Sequence, residues 1–261
     1  AGDMLREMEL RQLLQALEAA RIDALVIKGA QLAYSCYTRP DLRPRVDTDL
    51  LIAVADRARV AEVLHGLEYA PPEQVTGELV MYQASYVLSR QDIPVHTVDV
   101  HWRIANPQLF AGLLTFEELR TVATDLPRLG PSARGLSSVH ALLVACVHRV
   151  AHHFDSDCLV WLYDIHLLTQ TLSDEEWADF LVVVRTRHVS TICARGIERA
   201  RGLFQTPVPP RVLAALTDDA DEREETAAYL SHDRRQVDNF LTDVRALPGW
   251  PDRMRLVQEH L

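Results

Sequence analysis

The stretch from Ala24 to Val54, ALVIKGAQLAYSCYTRPDLRPRVDTDLLIAV, constrains the fold of this chain more than any other. A short apolar run ends at Lys28-Gly29, a helix-sized segment from Gln31 to Tyr37 follows, and Thr38-Arg39-Pro40 stops it. A loop from Pro40 to Arg45, rich in proline and arginine, then delivers the chain to Asp47-Thr48-Asp49 at the head of a second apolar run. Strand alternation puts Asp47 and Asp49 on one face and Thr48 on the other, so both carboxylates can reach one metal centre. Hard oxygen ligands of this kind suit Mg²⁺, which fills its other positions with water and phosphate oxygens. Like charges this close repel, and a bound cation is the simplest relief. Taken alone, an Asp-x-Asp pair is more often a turn or a helix cap, so its surroundings decide. Gly29 closes the first strand where a missing side chain would let a phosphate approach the backbone.

Around this stretch the pattern is mixed. Leu10, Leu13, Leu14 and Leu17 predict an amphipathic helix from Asp3 to Arg21. Asp49 to Val54 continues as strand, Asp56 is placed to cap a helix reaching Leu67, and Pro71-Pro72 breaks regular structure. Leu79 to Leu88 and Ile93 to Trp102 predict a hairpin turning at Arg90-Gln91-Asp92. On its second strand Val95, Thr97, Asp99 and His101 share one face, which makes Asp99 the candidate third acidic ligand. His101 is suited to tune Asp99, to carry a proton, or to hold a ligand by hydrogen bonding. Arg43 and Arg45 suit phosphate or another acidic group, or simply the neighbouring carboxylates; Arg39 is more simply solvated.

Beyond Asn106 the pattern is helical. A capping box at Thr115 and Glu118 opens a short helix to Val122, and Pro127 to Gly135 is a loop. Leu136 to Phe154 predicts a strong helix with His140, His148 and His152 along one stripe. The spacing of His148 and His152 permits a shared metal, but the glutamate of the zinc-protease pattern is missing, so a polar seam is the simpler expectation. Leu159 to Thr169 is apolar nearly all round and predicts a buried helix, in which Asp164 needs a partner such as Arg149, His148 or His152. Further helices follow a capped start at Ser173 to Glu176, a break at Pro207 to Pro210, an acidic patch from Asp218 to Glu225 and a separator at Pro248-Gly249. That acidic run is read as a solvated face.

At 261 residues the chain can bury one large core or two modest ones. No apolar run approaches the ~20 residues of a membrane span, and no signal-peptide core opens the sequence, so the expected location is the cytoplasm without membrane attachment. Cys36, Cys146, Cys158 and Cys193 lack metal spacing and fit reduced thiols. A formal net charge of -10 disfavours a long nucleic-acid partner, which would call for a basic stripe.

Strand, Lys-Gly, helix, Arg-x-x-x-Asp-x-Asp-Leu-Leu-Ile and then Val-Asp-Val-His-Trp after a hairpin resembles the nucleotidyltransferase superfamily that includes DNA polymerase beta. Within it the chain most resembles the branch of uncharacterised nucleotidyltransferase family proteins. The resemblance implies an α+β fold: a small mixed sheet with flanking helices over residues 1–105, then a helical domain over 106–261 that closes the cleft and selects the acceptor. It also implies a Mg²⁺-dependent enzyme, with two ions, that moves an NMP from an NTP to a hydroxyl and releases pyrophosphate. Asp47, Asp49 and Asp99 would hold metal and carry catalysis, and Lys28, Gly29, Ala30, Arg43 and Arg45 would face the nucleotide. His101, His148, His152 and Asp164 would support the metal ligands or line the acceptor cleft. The acceptor class stays open among a small molecule, a sugar, a peptide and a protein side chain. The superfamily's common Gly-Gly or Gly-Ser is Gly29-Ala30 here, so a serine hydroxyl on the phosphate is absent. The alternative expectation is a nucleotide- or protein-binding module that keeps the fold without turnover.

Overall fold

The computed structural model describes residues 2–71, 79–219, 225–231 and 234–259. Pro72 of the double-proline break and residues 220–224 of the acidic run lie outside the described residues. In chain order the first elements are α1 (Gly2–Ala19), β1 (Ala24–Ile27), α2 (Lys28–Ser35), β2 (Thr48–Ile52), α3 (Arg57–Gly66), β3 (Gln83–Arg90) and β4 (Ile93–His101). They are followed by α4 (Gln108–Ala111), α5 (Phe116–Thr121), β5 (Thr124–Asp125), β6 (Arg134–Gly135), α6 (Ser138–Ala151) and α7 (Leu159–Thr169). The chain ends with α8 (Asp174–Thr186), α9 (Ser190–Phe204), α10 (Pro210–Asp219), α11 (Gln236–Ala246) and α12 (Trp250–Glu259). It divides into two compact units, Ala1–Ile104 with Leu114–Ser137, and Ala105–Leu113 with Ser138–Leu261.

The first unit is built on a mixed sheet of order β3-β4-β2-β1-β6-β5. β1 and β2 are antiparallel while β2 and β4 run parallel. Strand alternation sorts the residues into two faces. Val26, Leu50, Ile52, Val98 and Val100 belong to one core with Leu10, Leu13, Leu14 and Leu17 of α1 and Val60 and Leu64 of α3. Thr48 is on that face too, where its hydroxyl meets His96 Nε2 at 2.9 Å, and Tyr69 Oη meets His96 Nδ1 at 2.6 Å. The opposite face is therefore left to Asp49, Asp99 and His101.

Several elements differ from the sequence reading. α2 starts at Lys28 instead of Gln31, because Lys28 takes a left-handed backbone (φ 52°) that turns strand into helix without a loop. Asp56 makes no capping bond through its side chain; its carboxylate takes a hydrogen bond from Arg59 at 2.6 Å instead. β3 starts at Gln83 instead of Leu79, while the hairpin turns within the expected Arg90-Gln91-Asp92, on Gln91 and Asp92 at positive φ (52° and 64°), as a two-residue turn compatible with strand twist requires.

β5 and β6 were not expected from the sequence, being only two residues each. They form because the return segment is tied to the sheet from outside. Arg128 donates to the carbonyls of Tyr37 at 2.6 Å and Thr38 at 3.0 Å, just past the end of α2, and Gln31 Nε2 donates to Leu136 O at 2.7 Å.

In the helical unit the capping box forms as expected: Ser173 Oγ accepts from Glu176 N, and Glu176 Oε2 accepts from Ser173 N. α7 is buried on one face only, through Leu162, Asp164, Ile165 and Leu168, while Leu159 and Tyr163 are exposed. It packs against α6 and α9. The fully buried Arg149 is paired with Asp155 and, at 3.8 Å, with Asp157. These carboxylates follow α6 directly, nearer in sequence than Asp164.

Candidate active site

β2 and β4 lie side by side in parallel register, with Asp49 opposite Asp99 and Leu51 opposite His101. On the other flank of β4, Ser85 of β3 is opposite Asp99 and Gln83 opposite His101. Because cross-strand partners share a face, the two carboxylates, the imidazole and their polar neighbours converge. One ligand atom each from Asp49, Asp99 and His101 lie within 4.8 Å of one another, the only such trio among the described residues. Ser85 Oγ donates to Asp99 Oδ1 at 2.5 Å and Gln83 Nε2 to Asp99 Oδ2 at 3.3 Å.

Lys28 closes the other side. Its Nζ is 2.7 Å from Asp49 Oδ1 and 3.3 Å from His101 Nε2, and His101 Nε2 is 2.7 Å from the same Asp49 oxygen. Positive φ on a residue with a Cβ is uncommon and points to a conformation held by its surroundings. Here it belongs to the lysine that neutralises a buried carboxylate. Burial would raise the Asp49 carboxyl, but Lys28 and His101 outweigh it and hold it well below the usual range. Burial, reinforced by Lys28, pushes the His101 imidazole down against the pull of Asp49 and Asp99.

Asp47 precedes β2 and stands outside the close trio. It still feels the trio's charge: burial first, then Asp49 and Asp99, push its carboxyl up to about 6. Arg43 is buried with its guanidinium against Gly29, where a Cβ would lie 2.9 Å from Nη1. The missing side chain of Gly29 therefore makes room for Arg43, a use that the sequence reading assigned to phosphate. Arg43 Nη1 donates to Pro44 O at 2.5 Å. Arg45 braces the loop, donating to Pro40 O at 3.0 Å and reaching Tyr34 Oη at 3.5 Å. Arg39 pairs with the adjacent Asp41 at the surface. Ala30 is buried in the first turn of α2.

In the helical unit, the rings of His148 and His152 are 5.2 Å apart. His153, which the sequence reading passed over, puts its Nε2 3.2 Å from that of His148 and stacks on Trp161 at 3.8 Å. Ser85, Gln83 and Arg128 were also missed, since a serine or glutamine on a strand has no signal until its cross-strand partner is known.

The carboxylate donor set fits a divalent cation, for Asp49 already holds a cationic group against a buried oxygen. A mixed sheet carrying such a set on adjacent parallel strands, with helices packed behind it, is the α+β arrangement that the sequence resemblance implied. The sequence matches the family described as uncharacterised nucleotidyltransferase over residues 3–241, and the chain belongs to that family. It is thus an enzyme of the nucleotidyltransferase class. The solution structure of the antibiotic-resistance factor ANT(2'')-Ia is similar, with a TM-score of 0.50 and 13% identity, over 72% of this chain and 95% of that one. At that identity the likeness concerns the fold alone. No curated protein matches the sequence. Among the described residues no helix is long and apolar enough to cross a membrane.

Proposed function

We infer that the enzyme transfers an NMP from an NTP to a hydroxyl-bearing acceptor, with a divalent cation, Mg²⁺ in the simplest case, held by Asp47, Asp49 and Asp99. The observation that carries this reading is the register of β2 and β4, which sets Asp49 beside Asp99 on the face of the sheet opposite the core. Such a cation, or a pair of them, would neutralise the carboxylates and stabilise charge on the transferring phosphoryl group.

In the reaction the acceptor hydroxyl gives its proton to Asp99, and its oxygen forms a bond to the α-phosphorus. The bond from that phosphorus to the bridging oxygen breaks, and pyrophosphate leaves with the electron pair. Ser85 and Gln83 hold the Asp99 carboxylate in one orientation for this work. Lys28 balances the Asp49 carboxylate, and with a cation bound there its ammonium would be available to the phosphates. Arg43, beside Gly29 at the start of α2, adds a guanidinium suited to the same phosphates. We assign recognition of the acceptor, a small molecule, sugar, peptide or protein side chain, to the helical unit, where His148, His152, His153 and Trp161 offer imidazole and aromatic surface. Asp164 serves the packing of that unit. A formal net charge of -10 disfavours a polynucleotide acceptor.

The test is pyrophosphate release from each of ATP, CTP, GTP and UTP with Mg²⁺, over a panel of acceptors, for the natural chain and Asp99→Asn. Metal-dependent release that is lost in Asp99→Asn with the fold intact supports the reading. Stabilisation by NTP without pyrophosphate under any acceptor would replace it by nucleotide binding alone.

A further inference from the structure

His101 Nε2 lies in direct contact with Asp49 Oδ1 and within 4.8 Å of an Asp99 carboxylate oxygen. Three atoms form a triangle: Asp49 Oδ1 and Lys28 Nζ at 2.7 Å, Asp49 Oδ1 and His101 Nε2 at 2.7 Å, and Lys28 Nζ and His101 Nε2 at 3.3 Å. An ammonium only donates and a carboxylate only accepts. An Nε2 that carries a proton suits Asp49 but sets an N–H beside the ammonium. A bare Nε2 suits Lys28 but sets its lone pair beside the carboxylate's. Neither tautomer serves both neighbours. A metal cation in the place of the ammonium serves both, because it takes a lone pair from the oxygen and one from the nitrogen. The imidazole is 1% exposed on a strand paired on both sides, so it is held facing this point.

We propose that His101 Nε2 is a direct metal ligand alongside Asp49 and Asp99, and that this mixed nitrogen and oxygen set selects Mn²⁺ or another first-row transition dication over Mg²⁺. The proposal rests on the nucleotidyl-transfer reading of the same site and adds a ligand and a metal preference to it. Mg²⁺ favours oxygen and gives up its waters reluctantly, whereas imidazole strengthens binding of transition ions. A cation bound at Asp49 Oδ1 would compete with the Lys28 ammonium for that oxygen.

The experiment loads the full chain with Mn²⁺ alone, without nucleotide, and records pulsed electron paramagnetic resonance. The expected result is a ¹⁴N coupling of the strength of directly bound imidazole. In His101→Asn, with an unchanged circular dichroism spectrum, that coupling disappears and Mn²⁺ affinity falls about tenfold or more, at least the loss seen when an outer partner of a ligand is removed. Titration against Mg²⁺ should show the preference for Mn²⁺ shrinking in the same variant. Bound Mn²⁺ without the nitrogen coupling, or no Mn²⁺ binding, overturns the proposal, and the spectrum of the natural chain decides this even if the variant does not fold. Metal-dependent pyrophosphate release lost in Asp99→Asn would leave the transfer reading standing in that event. Nitrogen-coupled Mn²⁺ without transfer to any acceptor would do the reverse.

Discussion

Asp49 and Asp99 come from strands that are adjacent, parallel and in direct register, so that their carboxylates stand side by side on one face of the sheet. Only one of the two is buried against a lysine: Lys28 Nζ lies 2.7 Å from Asp49, and the side chains of the pair are 11% and 9% exposed. The two aspartates should therefore respond differently to the same substitution.

Asp99→Asn should lower nucleotidyl transfer by about 10²–10³-fold, the scale on which loss of a single charge-stabilising group acts. Its stability should change little, since the asparagine can still accept from Ser85. Asp49→Asn should abolish transfer and also destabilise the chain by about 3–5 kcal/mol, because it leaves the Lys28 ammonium buried without a counter-charge. Lys28→Met in the same chain should restore much of that stability without restoring transfer. A double-mutant cycle by chemical denaturation measures the coupling.

Ser85→Ala removes the hydroxyl that donates to Asp99 Oδ1 at 2.5 Å. Stability should fall by about 1 kcal/mol, as for a single hydrogen bond. Transfer should fall about 10–100-fold, as when a partner that orients a ligand is lost. Steady-state kinetics should place that loss in kcat more than in KM for the NTP.

Gly29→Ala would place a Cβ 2.9 Å from Arg43 Nη1. A better helix residue gains about 1 kcal/mol, while displacement of the guanidinium opposes it, so net stability should stay within about 1 kcal/mol of the natural chain. NTP-dependent thermal stabilisation should shrink, because Arg43 has moved. In an Arg43→Ala background the same change should be stabilising. An additive result would show that the two positions do not interact.

His96 is buried between Tyr69 and Thr48, and burial, with smaller contributions from Arg6 and Arg45, pushes its imidazole down to about 4. The unfolded chain, with an ordinary histidine, binds the proton first as pH falls. This contribution to stability is thus intact above about pH 6.5 and is lost progressively toward pH 4, amounting to about 2 kcal/mol by pH 5. Asp47, pushed up to about 6, acts with the opposite sign in an overlapping range, because its folded form holds the proton more tightly. Urea denaturation at pH 7 and pH 5 should therefore be compared between the natural chain and His96→Asn, with the smaller loss expected in the variant.

Much of the first unit was legible because its signals are local. The leucines of α1, the extent of β1 and the alternation around Asp99 each depend on residues a few positions apart, and each element formed where its pattern lay. Lys28 was harder to read. The lysine was visible as a neighbour of Gly29, but its left-handed backbone and its bond to Asp49 depend on a strand that begins 20 residues later. β5 and β6 were illegible for a related reason: two residues carry no periodicity, and they are held by Gln31 and Arg128 through long-range bonds.

By itself the sequence determined which polar residues share a strand face, Asp47 with Asp49 and Asp99 with His101, since alternation sorts them from the apolar positions beside them. The tertiary structure decided which of them meet. Register between β2 and β4 joined Asp49, Asp99 and His101 and left Asp47 at the margin, and the turn at Lys28 placed a cation on Asp49. Periodicity is a property of neighbouring residues, whereas register is set by the packing of whole strands against a shared core.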